Sequence, residues 1–93
     1  MRKIIWWLIA GTRGGKNRLR IIDTLKEEPM NANQLAEELN LDYKTIQHHL
    51  KLLKENNIIT TVGEGYGQNY FLSDKMKDNM NVLDEIRGNQ NEK

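Results

Sequence analysis

The chain has 93 residues, a net charge of +1, 38% hydrophobic and 29% charged residues, and no cysteine. That length allows one domain with a modest core, and the lack of thiols excludes disulfides and thiolate metal sites while fitting a reducing cytoplasm. The charge is uneven. Residues 1–26 carry seven Lys/Arg against Asp23 alone, and residues 27–93 carry seven against twelve acids. The basic first quarter therefore suits phosphate contacts, with an ordinary solvated face as the alternative.

Residues 4–10 (IIWWLIA) form an apolar run behind Arg2 and Lys3. A membrane-spanning helix needs about 20 apolar residues, so this run does not span. The cations that follow at once, Arg13, Lys16 and Arg18, disfavour export. Residues 1–12 read instead as an apolar N-terminal segment at an interface. Gly14 and Gly15 look superficially like a phosphate cradle, but the full P-loop pattern is absent and a flexible lead into the first helix accounts for them.

From residue 16 the apolar positions Leu19, Ile22 and Leu25, with Ile21 beside them, follow a helical spacing that Pro29 ends at about residue 28. Asn31 or Asn33 can cap a second helix carrying Leu35, Ala36 and Leu39, and Asn40 tolerates the left-handed conformation at its end. Leu41 plugs the core, and Asp42 caps a third helix that runs to about Glu55. The period then changes: residues 58–62 (IITTV) and 69–72 (NYFL) read as strands of a hairpin around Gly63, Gly65 and Gly67. Ser73 can cap a closing helix over residues 74–88 with Met76, Met80, Leu83 and Ile86 in one stripe. Gly88 would terminate it, leaving residues 89–93 as a disordered tail.

The order predicts a mainly α fold with a small β-hairpin: a winged helix-turn-helix over residues 13–73. On a wheel of the third helix, Ile46, His49, Leu50 and Leu53 face inward and Lys44, His48 and Lys51 outward, with Gln47 on their flank. Tyr43 and Thr45 stand at the leading end. Gln can pair bidentately with adenine, Lys can donate to guanine, and Thr or Tyr can reach bases or phosphates. The expected partner is therefore double-stranded DNA, with helix 3 (residues 42–55) in the major groove. The hairpin offers Tyr66, Gln68 and Asn69 but no cation. Lys16 and Arg18 are weaker candidates for phosphate contacts.

Adjacent His48 and His49 point about 100° apart and lack an H-x-x-x-H spacing, so no metal site is expected. No nucleophile motif, carboxylate pair or cofactor loop appears, so neither an enzyme nor a cofactor is expected. The terminal apolar segments, with Ile5, Trp6, Leu8, Ile9, Met76, Met80, Leu83 and Ile86, predict a homodimer interface that sets the third helices about 34 Å apart, one turn of DNA. Folding back of both segments on their own domain is the competing expectation. A protein-interaction adaptor is the alternative function, and a small apolar effector beside the tryptophans could accompany the first.

The segment TIQHHLKLLKENNII (residues 45–59) resembles the recognition helix and strand of ArsR-type winged-helix repressors. With residues 11–22 (GTRGGKNRLRII), 29–39 (PMNANQLAEEL) and 41–50 (LDYKTIQHHL), the pattern is similar to small archaeal winged-helix regulators over about residues 11–73. The resemblance implies a dimeric transcription regulator that contacts operator DNA through Tyr43, Lys44, Thr45, Gln47 and His48. Metal-sensing members carry cysteines near the first recognition turn. This chain has none, so metal sensing does not carry over.

Overall fold

The computed structural model describes residues 1–63 and 65–91, without the side chains of Tyr66, Gln90 and Asn91. In chain order the elements are α1 (Arg2–Ile9), α2 (Gly15–Glu27), α3 (Ala32–Leu39), α4 (Tyr43–Glu55), β1 (Ile59–Val62), β2 (Asn69–Leu72), α5 (Asp74–Lys77) and α6 (Met80–Asn91). A single 3-10 turn, Gly65–Gly67, joins the strands. The first, second and third helices of the sequence reading are thus α2, α3 and α4.

Local chemistry sets most of the boundaries. Asn31 and Gln34 form a capping box at α3: the Asn31 side chain accepts from the Gln34 backbone at 2.8 Å, and the Gln34 side chain accepts from the Asn31 backbone at 2.9 Å. Asn40 closes α3 at φ 54°, and the Leu41 N–H donates to the Ala36 carbonyl at 3.0 Å. The hairpin pairs antiparallel from Ile59 opposite Leu72 to Val62 opposite Asn69. A bridge between Met30 and Tyr70 also ties the α2–α3 connection to β2, a contact that no local signal announces.

One core joins every layer. Ile5 and Leu8 of α1 are buried with Ile21 and Ile22 of α2, Leu35 of α3 and Ile46 of α4 in a single apolar cluster. The two ends of the chain meet there, since α1 packs on both α2 and α6. Arg2 and Glu85 link α1 to α6 by an ion pair, and Arg87 and Asp23 link α6 to α2. Among the described residues no helix is long and apolar enough to cross a membrane.

Three expectations about the chain ends change. Ile5, Leu8, Ile9, Met76, Leu83 and Ile86 are not an open interface, because the chain's own core buries each of them. A 93-residue domain has too little apolar surface to leave such side chains outside. Of the tryptophans, Trp6 is half-buried against the core, while Trp7 is 49% exposed. Met80 is also partly buried against that core.

The closing helix is two helices. After the Ser73-capped α5, Asn79 donates its backbone N–H to Met76 and receives that of Val82, and its side chain donates to the Lys75 carbonyl. The resulting bend brings Val82 into the core, a position outside the expected stripe. Gly88 lies inside α6 with open space around it, so it does not end the helix. The expected disordered tail is helical through Asn91, and residues 92–93 lie outside the described residues.

Candidate nucleic-acid interface

The side chain of Asp42 starts α4 by accepting from the backbone N–H groups of Lys44 at 3.1 Å and Thr45 at 3.3 Å. Ile46, His49, Leu50 and Leu53 then anchor the inner face of the helix. Lys44, Gln47, His48 and Lys51 are left exposed on the other side, with Tyr43 and Thr45 half-buried at the leading end. The three ion pairs among the described residues engage neither Lys44 nor Lys51. Both ammonium groups thus remain available to anionic ligands.

The amide of Gln47 donates to the Tyr43 hydroxyl at 3.1 Å, across one turn of the helix. A second amide–phenol pair comes from the hairpin, where Gln68 donates to the Tyr70 hydroxyl at 3.0 Å. These four residues line one cleft with Ala32 and Gly65, so the hairpin and the leading end of α4 border the same surface. Burial pushes the Tyr70 phenol above its usual 10.0. Nearby Tyr43 adds to the rise, and the hydrogen bond from Gln68 opposes it. The hairpin residues Glu64 and, for its side chain, Tyr66 lie outside the described residues.

Lys16 stands exposed near the start of α2. Arg18 does not join it as a phosphate ligand. Its side chain is 2% exposed and turned inward. The Nε donates to the Leu8 carbonyl at 2.8 Å, one terminal nitrogen reaches His49 Nδ1 at 3.2 Å, and the other donates to the Arg13 carbonyl at 3.0 Å and to the Thr12 hydroxyl. The end of α1, the α1–α2 connection and α4 together engage four of the five guanidinium N–H groups. Arg20 is similarly engaged by the Leu39 carbonyl at 2.7 Å and by Asn17. The basic first quarter is therefore partly structural, which its charge count could not reveal.

Because a guanidinium only donates, His49 must accept at Nδ1 and carry its proton on Nε2. Burial depresses the His49 pKa below 6.5, and the positive charges of Arg18 and His48 depress it further. The sign for stability follows. An unfolded chain takes up this proton from pH 6.5 downward while the folded chain resists, so His49 stabilises fully above pH 6.5 and loses that contribution as pH falls toward its folded pKa. Urea midpoints are expected to fall between pH 7.5 and pH 5, and to fall less in His49→Phe. An equal fall in the variant would remove His49 as the cause.

A sequence profile for the family described as "Bacterial regulatory protein, arsR family" matches residues 15–61, from the first residue of α2 into β1. The chain belongs to the arsR family. Its curated relatives include the arsenical resistance operon repressor of Staphylococcus aureus, 31% identical over 71 residues, which are 72% of this chain and 68% of the relative. The transcriptional repressor SdpR of Bacillus subtilis is 38% identical over 48 residues, covering 52% of this chain and 53% of SdpR.

Solved structures with the same fold include HlyU from Vibrio cholerae, with a TM-score of 0.70 at 20% identity over 91% of this chain and 90% of that one. A homodimeric winged helix-turn-helix DNA-binding domain from Mycobacterium bovis superposes with a TM-score of 0.72 at 16% identity, over 99% of this chain and 82% of that one. The chain therefore shares the winged helix-turn-helix architecture of these structures, as the order of elements predicted. The arsR-family match spans α2, α3 and α4, where capping and periodicity are also clearest in the sequence.

Proposed function

We infer that this arsR-family chain is a DNA-binding transcription regulator that lays α4 in the major groove of operator DNA. One observation carries the reading: α4 is anchored by an apolar face while Lys44, Gln47, His48 and Lys51 stand exposed together on the other. A helix presented this way fits the roughly 12 Å groove, with ammonium groups for phosphates or guanine and an amide for adenine. Tyr43, Thr45 and Gln68 border the same surface, and Lys16 supplies a flanking phosphate contact. The protein acts in the cytoplasm, as a homodimer.

The dimer is supported by the homodimeric Mycobacterium bovis neighbour and by the half-exposed Trp7. With the inner faces of α1 and α6 consumed by the core, the partner copy meets their outer sides. A small effector remains compatible with this arrangement.

Fluorescence anisotropy of labelled genomic-upstream and random duplexes at two salt concentrations tests the reading. Wild-type binding is expected to weaken steeply with salt, and the triple substitution Lys44→Ala, Gln47→Ala, His48→Ala is expected to cost about 100-fold or more in affinity. Salt-dependent binding untouched by the triple variant would move the contact off α4. No binding at low salt would leave a protein-interaction adaptor as the function.

A further inference from the structure

Positions 43 and 47 are one helical turn apart, so their side chains lie on the same face of α4. Tyr43 is half-buried at the cleft, and the exposed Gln47 amide donates to its hydroxyl at 3.1 Å. The bond uses one of the two N–H donors of the amide. Gln47 Oε1 and the second N–H remain as an adjacent acceptor and donor on an exposed side chain.

We propose that Tyr43 and Gln47 form a prearranged adenine reader at the leading end of α4. The proposal rests on the DNA-binding role inferred above. Adenine shows the major groove an amino donor at N6 beside an acceptor at N7, which mirrors Oε1 and the remaining N–H of Gln47. Guanine shows two acceptors, thymine one acceptor and a methyl group, and cytosine one donor, so none of them satisfies both groups. Tyr43 acts as a positioning residue, because an amide held before binding loses less freedom when the base arrives. The second pair, Gln68 and Tyr70, limits the space on the hairpin side of the cleft.

Selection of bound duplexes from a random pool, followed by competition titrations of the selected site, tests this. Wild-type protein is expected to select an A·T pair, with adenine preferred roughly 5- to 100-fold at one position. Gln47→Ala abolishes that preference at that position alone. Gln47→Glu turns it toward cytosine, since a carboxylate only accepts. Tyr43→Phe keeps the ring and the thermal midpoint, and lowers the adenine preference at that position by about 2- to 10-fold.

Selection of guanine or thymine at the Gln47-dependent position would mean that Tyr43 donates to the amide oxygen, and would overturn the proposal. So would full adenine preference in Tyr43→Phe. Wild-type protein that binds no duplex would overturn the regulator reading together with the pair. Sequence-selective binding that Tyr43→Phe leaves unaltered would overturn the pair alone.

Discussion

Gly15→Ala is expected to destabilise the protein by at least about 3 kcal/mol, through overpacking where no side chain can yield. A Cβ built on Gly15 would sit 1.7 Å from the Ile9 carbonyl oxygen and 2.5 Å from its carbon. Both atoms are backbone, so relief requires α1 to move away from the start of α2. That movement would disturb the burial of Ile5, Leu8 and Ile9 and pull the Leu8 carbonyl from Arg18. A small domain is stabilised by only about 5–15 kcal/mol in total, so a loss of this size removes a large share of it. Urea denaturation followed by tryptophan fluorescence measures the effect. Gly88→Ala, where a Cβ meets open space inside α6, serves as the control and is expected to be neutral or slightly stabilising. A wild-type midpoint for Gly15→Ala would refute the close packing of α1 on α2.

Arg18→Ala is the other large effect expected, at about 3–5 kcal/mol, because it empties a buried site and strips donors from several acceptors at once. The guanidinium is held by neutral partners: the Leu8 and Arg13 carbonyls, the Thr12 hydroxyl and His49 Nδ1. Taking a cation out of water is tolerated only when its donors are met, and burial already lowers the Arg18 pKa from its ordinary value. Arg18→Lys should recover little, since one ammonium cannot reproduce a planar fork that reaches α1, the α1–α2 connection and α4 together. Arg18→Met fills the volume without a charge and separates the cavity from the lost hydrogen bonds. In Arg18→Ala and Arg18→Met the His49 pKa, followed by NMR of the imidazole, should move up toward 6.5, because a cation beside it has gone. An unmoved His49 would break the inferred link between α2 and α4.

That link bears on function. Arg18 and His49 join the α1–α2 connection to the inner face of α4, whose outer face carries Lys44, Gln47, His48 and Lys51. The outer face was legible in the sequence because helical geometry divides side chains before any tertiary contact exists. Ile46, Leu50 and Leu53 define the inward direction, and the polar residues opposite follow from it. The Tyr43–Gln47 pair was half legible, since the spacing places both residues on one face while the bond between them needs their rotamers. Arg18 was illegible. An arginine on an amphipathic helix usually stands in water, and its neighbours Leu8 and His49 lie 10 and 31 positions away in the chain.

The same division holds across the chain. Sequence alone determined the helices around the turn, because their signals act within a few residues: Pro29 after α2, the Asn31 capping box, left-handed Asn40, and Asp42 at the head of α4. It also determined the hairpin, whose β-branched run and glycines mark strands and turn locally. Tertiary structure decided what the terminal segments do. Their apolar stripes promise only that some surface will cover them, and here α1 and α6 cover each other. It also decided the bend at Asn79, which aligns Val82 and Leu83 with a core built from residues far away in sequence. Hydrogen bonds and caps are chosen by neighbours along the chain. Burial is chosen by neighbours in space, and those exist only once the chain has folded.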